Sequence, residues 1–179
     1  MASLSERMIG SAKLDVHTYE EVEADTNATG QALMVVVLSS IAQGIGTLTL
    51  GGLWGLLAGT VSALVGWFIW AFIVYLIGTK LLPEPNTRSD VPELLRTTGF
   101  SASPGLLRVL GLVPLLGGLI MFAVNIWMLI AMVIAVRQAL DYESTGRAIG
   151  VCVIGWFAQL VIMFTAYVIL MLAVGVRPT

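Results

Sequence analysis

One uninterrupted apolar stretch decides the fold, at residues 26–79: TNATGQALMVVVLSSIAQGIGTLTLGGLWGLLAGTVSALVGWFIWAFIVYLIGT. It contains no Asp, Glu, Lys or Arg over 54 residues. A bilayer core about 30 Å thick requires roughly 20 apolar residues for each helical crossing. The stretch is therefore long enough for two crossings, which is typical of an integral membrane protein.

Two further stretches without charge follow, 28 residues at 109–136 and 29 residues at 148–176. Each is long enough for one crossing. Only 11% of the chain is charged and 58% is hydrophobic, whereas soluble domains carry about 25% charged residues. Together with the first stretch, these segments predict four transmembrane helices.

The turn signal Gly51-Gly52 divides the first stretch into helices at 31–50 and 53–79. We predict an all-α integral membrane protein, a four-helix transmembrane bundle of two antiparallel hairpins with short interfacial helices. Its parts are cytoplasmic N-terminal amphipathic and acidic helices at 1–30, transmembrane hairpin one at 31–79, a polar loop with interfacial helices at 80–113, transmembrane hairpin two at 114–174 and a C-terminal tail at 175–179.

The segment before Pro114 leaves an alternative open. Because proline interrupts a helix, residues 104–113 read as an interfacial or re-entrant turn rather than as part of one long helix. If this segment crosses the membrane, the chain has five spans and its C-terminus moves to the other side.

The basic residues predict an orientation for four crossings. One side then carries both termini and the long loop, with Arg7, Lys13, Lys80, Arg88, Arg96, Arg108 and Arg177. The other side carries Arg137 and Arg147. Since basic residues concentrate on the cytoplasmic side, we expect both termini to be cytoplasmic, in a bacterial cytoplasmic (inner) membrane.

The composition excludes several functions. One histidine and one cysteine cannot form a His/Cys metal site or an intramolecular disulfide. A net charge of -2 without a basic cluster does not suit nucleic acid. The three charge-free stretches contain no Asp, Glu, Lys, Arg or His, and Cys152 is their one thiol, so catalysis and proton coupling lack carboxylates and histidines at membrane depth. We expect no enzyme activity, catalytic residue, metal or cofactor.

Helix packing is predicted at Gly51, Gly55 and Gly59, because small residues four apart let helix backbones approach closely in lipid. We favour packing within the chain over homodimerisation. Asn125 lies near the middle of the third span, where an amide most often joins helices by hydrogen bonds. With Gln43 and Gln159, it could instead line the path of a small oligomeric channel or carrier.

Four carboxylates precede the first span, at Glu20, Glu21, Glu23 and Asp25. They lack the loop spacing and turn glycine of a calcium motif. We therefore interpret them as a solvated helix end or a partner surface rather than as a metal site.

Several stretches together resemble a known family. They are YEEVEAD at 19–25, ATGQAL at 28–33, LLRTTGF at 94–100, SPGLL at 103–107 and VIAVRQALDYESTGRA at 133–148. They are similar to the short bacterial members of the Yip family, membrane proteins named for interacting with Ypt/Rab GTPases. The likeness spans about residues 4–172, and its most specific part is the last stretch.

The resemblance implies a multi-span protein with a cytosolic N-terminus. Eukaryotic relatives act in vesicle trafficking and bind small GTPases, but their longer arm and Asp-Leu-Tyr-Gly-Pro type motif are missing here, which argues against GTPase binding. Arg137, Asp141, Thr145 and Arg147 match the recurring pattern. We interpret them as a clasp in which an ion pair and capping hydroxyls hold the turn between helices three and four; a functional surface is the alternative.

The leading hypothesis is a non-enzymatic membrane adaptor or accessory subunit of a larger assembly. Its partners would be the lipid bilayer and other membrane protein subunits, or further copies of itself. The channel or carrier is the alternative, and an enzyme acting on lipids at the interface is a third, weaker one.

Overall fold

The computed structural model describes residues 2–46 and 48–173, and throughout that part of the chain the regular elements are helices. They are α1 (Leu4–Ala12), α2 (Val16–Ala24), α3 (Ala28–Gly46), α4 (Leu48–Leu76) continued by a π-helical turn (Ile77–Leu81), α5 (Val91–Phe100), a 3-10 segment (Ser103–Leu112), α6 (Gly117–Ala139) and α7 (Thr145–Ala173).

Four of these helices are long and apolar enough to cross a membrane: Ala28–Gly46, Gly52–Leu81, Gly117–Ala139 and Thr145–Ile169. Large apolar side chains face outward along them, as Trp54 in α4 and Phe157 in α7 do. Such a surface is stable in lipid and not in water. The predicted all-helical fold with four spans and additional short helices is confirmed.

The reversal inside hairpin one falls at the predicted glycine pair. Gly52 has a φ of 57°, a left-handed conformation that glycine adopts without the steric cost of a Cβ. The preceding helix begins at Ala28, three residues before the predicted start at 31. Residue 47 lies outside the described residues, and residues 48–51 are again helical up to the reversal at Gly52.

The connection after α4 and the turn after α6 lie at the same end of the bundle. The Tyr142 hydroxyl donates to the carbonyl oxygen of Leu82 over 2.7 Å, and Asn86 Nδ2 donates to Glu143 Oε1 over 3.3 Å. Gln138 at the end of α6 donates to Glu20 of α2 over 3.2 Å. We call this end, formed by α2, residues 82–90 and residues 140–144, the polar end.

Since α4 and α6 both finish at the polar end, the chain must pass back between them. Residues 91–112 make this passage alongside α3: Gly99 lies beside Ala32, Gly105 beside Ser39, and the Arg108 carbonyl beside Gly46. The α3 residues from 32 to 46 cover about 20 Å at 1.5 Å per residue. Residues 91–112 therefore re-enter the bundle and run through it to the opposite end, where α6 begins, and we call them the re-entrant leg. This course is the one that the alternative with a crossing at residues 104–113 expected, rather than an interfacial turn.

This passage corrects the expected position of the 80–113 loop and the orientation drawn from it. All residues from 94 to 100 are buried between helices rather than interfacial. Residues 80–90 and 140–147 share one end, so the predicted separation of their basic residues is wrong. α7 runs away from the polar end where α2 lies, against the prediction that both termini share one side; residues 175–179 lie outside the described residues.

The core lies toward the polar end, around the re-entrant leg. Its largest buried apolar side chains include Trp67 and Trp70 of α4, Leu94 and Phe100 of α5, and Leu140 after α6. Trp67 Nε1 donates to Thr98 Oγ1 over 3.2 Å, so its one polar atom is satisfied in the core. The buried leg thus ties hairpin one to hairpin two.

Candidate functional site

A cleft opens at the polar end, with a volume of about 440 Å³. Its lining residues are Glu20, Glu23, Asn86, Arg137, Gln138, Asp141, Tyr142 and Glu143. They come from α2, from the connection after α4, from the end of α6 and from the turn that follows it. Four of the eight are carboxylates, so the cleft presents hydrogen-bond acceptors and negative charge.

The acidic segment of α2 has two different roles. The Arg7 guanidinium is only 2% exposed and pairs with Glu21 at 2.9 Å and Asp25 at 2.7 Å. It also donates to Gln31 over 3.0 Å, which joins α1 and α2 to the start of α3. Glu21 and Asp25 therefore hold the N-terminal helices together, while Glu20 and Glu23 line the cleft.

Glu23 is the carboxylate that the cleft perturbs most. Burial, followed by the negative charges of Asp141 and Glu93, raises the pKa of Glu23 to about 7. Its carbonyl oxygen accepts hydrogen bonds from Arg96, which is 4% exposed. Arg96 thus fixes the backbone of α2 against α5, and the Glu23 carboxyl is held in the cleft.

Arg137 supports the turn in a way that differs from the predicted clasp. α6 ends at Ala139 and Asp141 has a φ of 53°, so the helical geometry that would place Asp141 opposite Arg137 is lost. Arg137 instead donates to the carbonyl oxygens of Tyr142 and Glu143, each over 3.1 Å. The expected ion pair is replaced by hydrogen bonds to backbone.

The start of α7 is capped by Ser144 rather than by Thr145. Ser144 Oγ accepts from the Arg147 backbone N–H over 3.4 Å, and Thr145 is exposed. The Arg147 side chain donates to the Pro83 carbonyl and lies 3.5 Å from Glu84. Arg147 therefore joins the turn to the connection after α4, a contact between distant segments that sequence spacing does not reveal.

Four lining residues were absent from the predicted set, namely Asn86, Gln138, Tyr142 and Glu143, and Tyr142 is the most buried of them. Its side chain is 4% exposed, and its hydroxyl contacts the carbonyl oxygens of Gly78 at 2.9 Å and Leu82 at 2.7 Å. Burial and the nearby Glu84 raise the pKa of Tyr142 to about 12. In the sequence, its position beside Asp141 in the motif at 133–148 is the feature that points to Tyr142. Its hydrogen-bond partners could not be predicted, because they are some 60 residues away along the chain.

A second polar group lies away from this end, on the re-entrant leg. Arg108 donates to Gln43 Oε1 of α3 over 2.8 Å and to Asn125 Oδ1 of α6. Asn125 thus contacts an arginine between helices, and Arg108 was absent from the predicted site. Gln159 lies elsewhere and donates to the Gly66 carbonyl over 3.3 Å, so the three amides of the channel hypothesis do not converge within one chain.

The glycine stripe faces open space. A Cβ added at Gly55 or Gly59 would meet no atom within 4 Å, and both glycines border a groove of about 350 Å³ between α3 and α4. The surroundings of Gly51 lie outside the described residues. Close backbone approach occurs instead at Gly46, where a Cβ would lie 2.1 Å from the Arg108 carbonyl oxygen. A packing role for the stripe stays a prediction.

The helices and the two polar groups together define a class of protein. Four apolar helices of spanning length, joined by a buried leg and ending in a charged cleft, are those of a polytopic helical membrane protein. The described part of the chain brings together no group of three His, Cys, Asp or Glu side chains placed to hold a metal ion.

Comparison with known proteins identifies the family. The family model of the Yip1 domain matches residues 16–167, and the chain belongs to the Yip1 domain family. The match runs from the start of α2 into α7, so it includes the polar end and the re-entrant leg. Members of this family are generally non-enzymatic trafficking proteins. No curated protein and no solved structure shows significant similarity to the chain.

Proposed function

We propose that this protein is a non-enzymatic membrane adaptor or accessory subunit, which binds a partner protein at the cleft of its polar end. The observation that carries the proposal is the convergence of Glu20, Glu23, Asp141 and Glu143 from two separate parts of the chain. A basic segment of a membrane protein or of a peripheral protein has the complementary charge.

The cleft suits docking because its walls are held in place by the fold. Tyr142, Arg137 and Arg147 together bind six backbone or side-chain oxygens around the turn. Gln138 ties α6 to Glu20 of α2. A preorganised surface loses little conformational entropy when a partner binds.

The distribution of basic residues favours a cytoplasmic location for the polar end. Arg88 lies in it, Lys80, Arg137 and Arg147 lie on the helix ends that adjoin it, and Arg7 and Arg96 bond to α2. By the positive-inside rule such an end remains in the cytoplasm. In a bacterial host, this places the partner surface on the cytoplasmic face of the inner membrane.

Charge reversal combined with cross-linking tests the proposal. In native membranes, the wild-type chain is expected to cross-link reproducibly to one partner through residues of the cleft. The double variant Glu20→Lys/Asp141→Lys should lose these cross-links, while Glu6→Lys, a charge reversal on α1 outside the cleft, should retain them. A chain that cross-links to nothing reproducibly, or equally in all three forms, contradicts the proposal.

A flux assay separates the adaptor from the small channel or carrier. An adaptor makes liposomes no more permeable to ions or small solutes than empty liposomes are. Flux that Asn125→Leu abolishes, with the protein still folded, would favour the channel or carrier and count against the adaptor.

A further inference from the structure

Arg108 is a cation at membrane depth whose side-chain hydrogen bonds go to two neutral groups. Its Nη atoms donate to the amide oxygens of Gln43 and Asn125. Its Nε atom is buried and has no hydrogen-bond partner. Amide dipoles solvate a guanidinium but do not neutralise its charge.

A compensating carboxylate is absent from the elements around it. The sequence has no Asp or Glu between Asp25 and Glu84, or between Glu93 and Asp141, and these intervals contain α3, the 3-10 segment and α6. The carboxylates of the cleft lie at the polar end, beyond the start of α3. A lone charge among membrane helices is costly, so an anion from outside the chain would stabilise it.

The depth of Arg108 matches a lipid headgroup of the leaflet opposite the polar end. Gln43 is nine residues before the reversal at Gly52, and Asn125 is eight residues from the start of α6. Each interval is about 12–14 Å of helix. Arginine side chains reach headgroups from such depths. Leu107 and Leu110, exposed at 40% and 45%, provide apolar contact for acyl chains beside it.

We propose that Arg108, oriented by Gln43 and Asn125, binds the phosphate group of an anionic lipid in this leaflet. The second N–H of each Nη atom remains for paired hydrogen bonds with phosphate oxygens, and the two amides fix the plane of the guanidinium from α3 and α6. The exposed Asn125 adds an NH2 donor beside the same position. This site is independent of the cleft at the polar end and does not rest on the adaptor function.

Native mass spectrometry of the full-length protein, released from nanodiscs, tests the proposal. With phosphatidylglycerol, the wild type is expected to retain one tightly bound lipid, and with zwitterionic phosphatidylcholine much less. Arg108→Met should weaken phosphatidylglycerol retention about tenfold or more, and Arg108→Lys less, because lysine keeps the charge but lacks the planar fork. Arg88→Met, which removes an exposed cation of the polar end, is the control and should retain the lipid.

Inorganic phosphate distinguishes the source of the anion. Binding of phosphate alone that depends on Arg108, without retention of phosphatidylglycerol, would overturn the lipid assignment and leave a free anion as the ligand. Equal phosphatidylglycerol retention by wild type and Arg108→Met overturns the site altogether. If Arg108→Met does not fold, Arg108→Lys and Asn125→Leu take its place, with Arg88→Met again as the control. If Arg108→Lys and Asn125→Leu both retain phosphatidylglycerol as the control does, the proposed site is overturned as well.

Discussion

The hydroxyl of Tyr142 lies 2.7 Å from the carbonyl oxygen of Leu82 and 2.9 Å from that of Gly78, and its single proton is shared between these two acceptors. This hydrogen bonding joins the turn between α6 and α7 to the π-helical turn after α4. It also shows that two connections expected on opposite sides of the membrane lie at one end of the bundle.

We predict that Tyr142→Phe destabilises the protein by about 1–2 kcal/mol, because the carbonyl oxygens of Gly78 and Leu82 lose a buried partner. The free energy of unfolding in detergent measures the change. Tyr167→Phe is the control, since Tyr167 is 55% exposed along α7. An equal loss in the two variants would show that the Tyr142 hydroxyl has no special role.

The shared end also predicts the pattern of cysteine labelling. In a Cys152→Ala background, Asn86→Cys and Glu143→Cys should react with an impermeant thiol reagent from the same side of sealed vesicles. Leu115→Cys should react from the other side, because Leu115 is fully exposed in the link between the re-entrant leg and α6. Labelling of positions 86 and 143 from opposite sides would rule out the re-entrant passage.

Removal of the buried arginine of α1 should release the N-terminal helices. Arg7→Met leaves Glu21 and Asp25 without their partner, and we expect a loss of about 2–3 kcal/mol, at the low end for a broken buried pair because Glu21 is half-exposed. Proteolysis of α1 and α2 should become faster. Arg88→Met serves as the control, and comparable proteolysis in both variants would contradict this role of Arg7.

Stability should vary with pH through Glu23. Its pKa is raised from the usual 4.5 of a glutamate to about 7 in the folded protein, first by burial and then by Asp141 and Glu93. The folded state therefore holds this proton more tightly, so the contribution of Glu23 to stability is greatest below about pH 4.5 and declines as the pH rises to about 7.

Glu23→Gln removes this dependence, so the variant should gain stability relative to the wild type at a pH above 7 and gain less at a pH below 4.5. Unfolding measured at both pH values provides the comparison, and Glu20→Gln subtracts the general effect of removing one negative charge from the cleft. A difference between wild type and Glu23→Gln that is the same at both pH values would be inconsistent with a perturbed carboxyl.

Alanine substitutions should distinguish Gly46, where two backbone segments approach closely, from Gly59 of the glycine stripe, which faces open space. In Gly46→Ala the new Cβ would lie 2.1 Å from a backbone oxygen of the re-entrant leg, and we expect a loss of about 1–3 kcal/mol from overpacking. Gly59→Ala has open space and should not destabilise the monomer. The free energy of unfolding in detergent measures both effects. An equal free energy for Gly46→Ala and Gly59→Ala would mean that the leg shifts freely to accommodate the new Cβ.

Much of the fold could be predicted because hydropathy along the chain reports it directly. The charge-free runs predicted four spans, and the glycine pair at 51–52 predicted the reversal, where Gly52 takes its positive φ. The capping box of Asp90 and Glu93 likewise starts α5. These are local features, so neighbouring residues are sufficient to determine them.

The functional groups were harder to predict because their partners are distant in the sequence. Arg108 reads as a loop cation until α3 and α6 supply Gln43 and Asn125. Arg137 and Asp141 have the spacing of an ion pair, but the helix ends between them at Ala139. Hydropathy also assigned residues 94–100 to a polar loop, although packing between helices buries them all.

The sequence by itself therefore determined that this is a helical membrane protein with four long apolar spans and charges outside them, because transfer of apolar helices into lipid depends on composition and length. Only the tertiary structure decided which loops share an end. The Yip1 domain returns through a short, partly polar leg that remains in the bundle because α3, α4 and α6 pack around it and form hydrogen bonds with its Thr98 and Arg108 side chains.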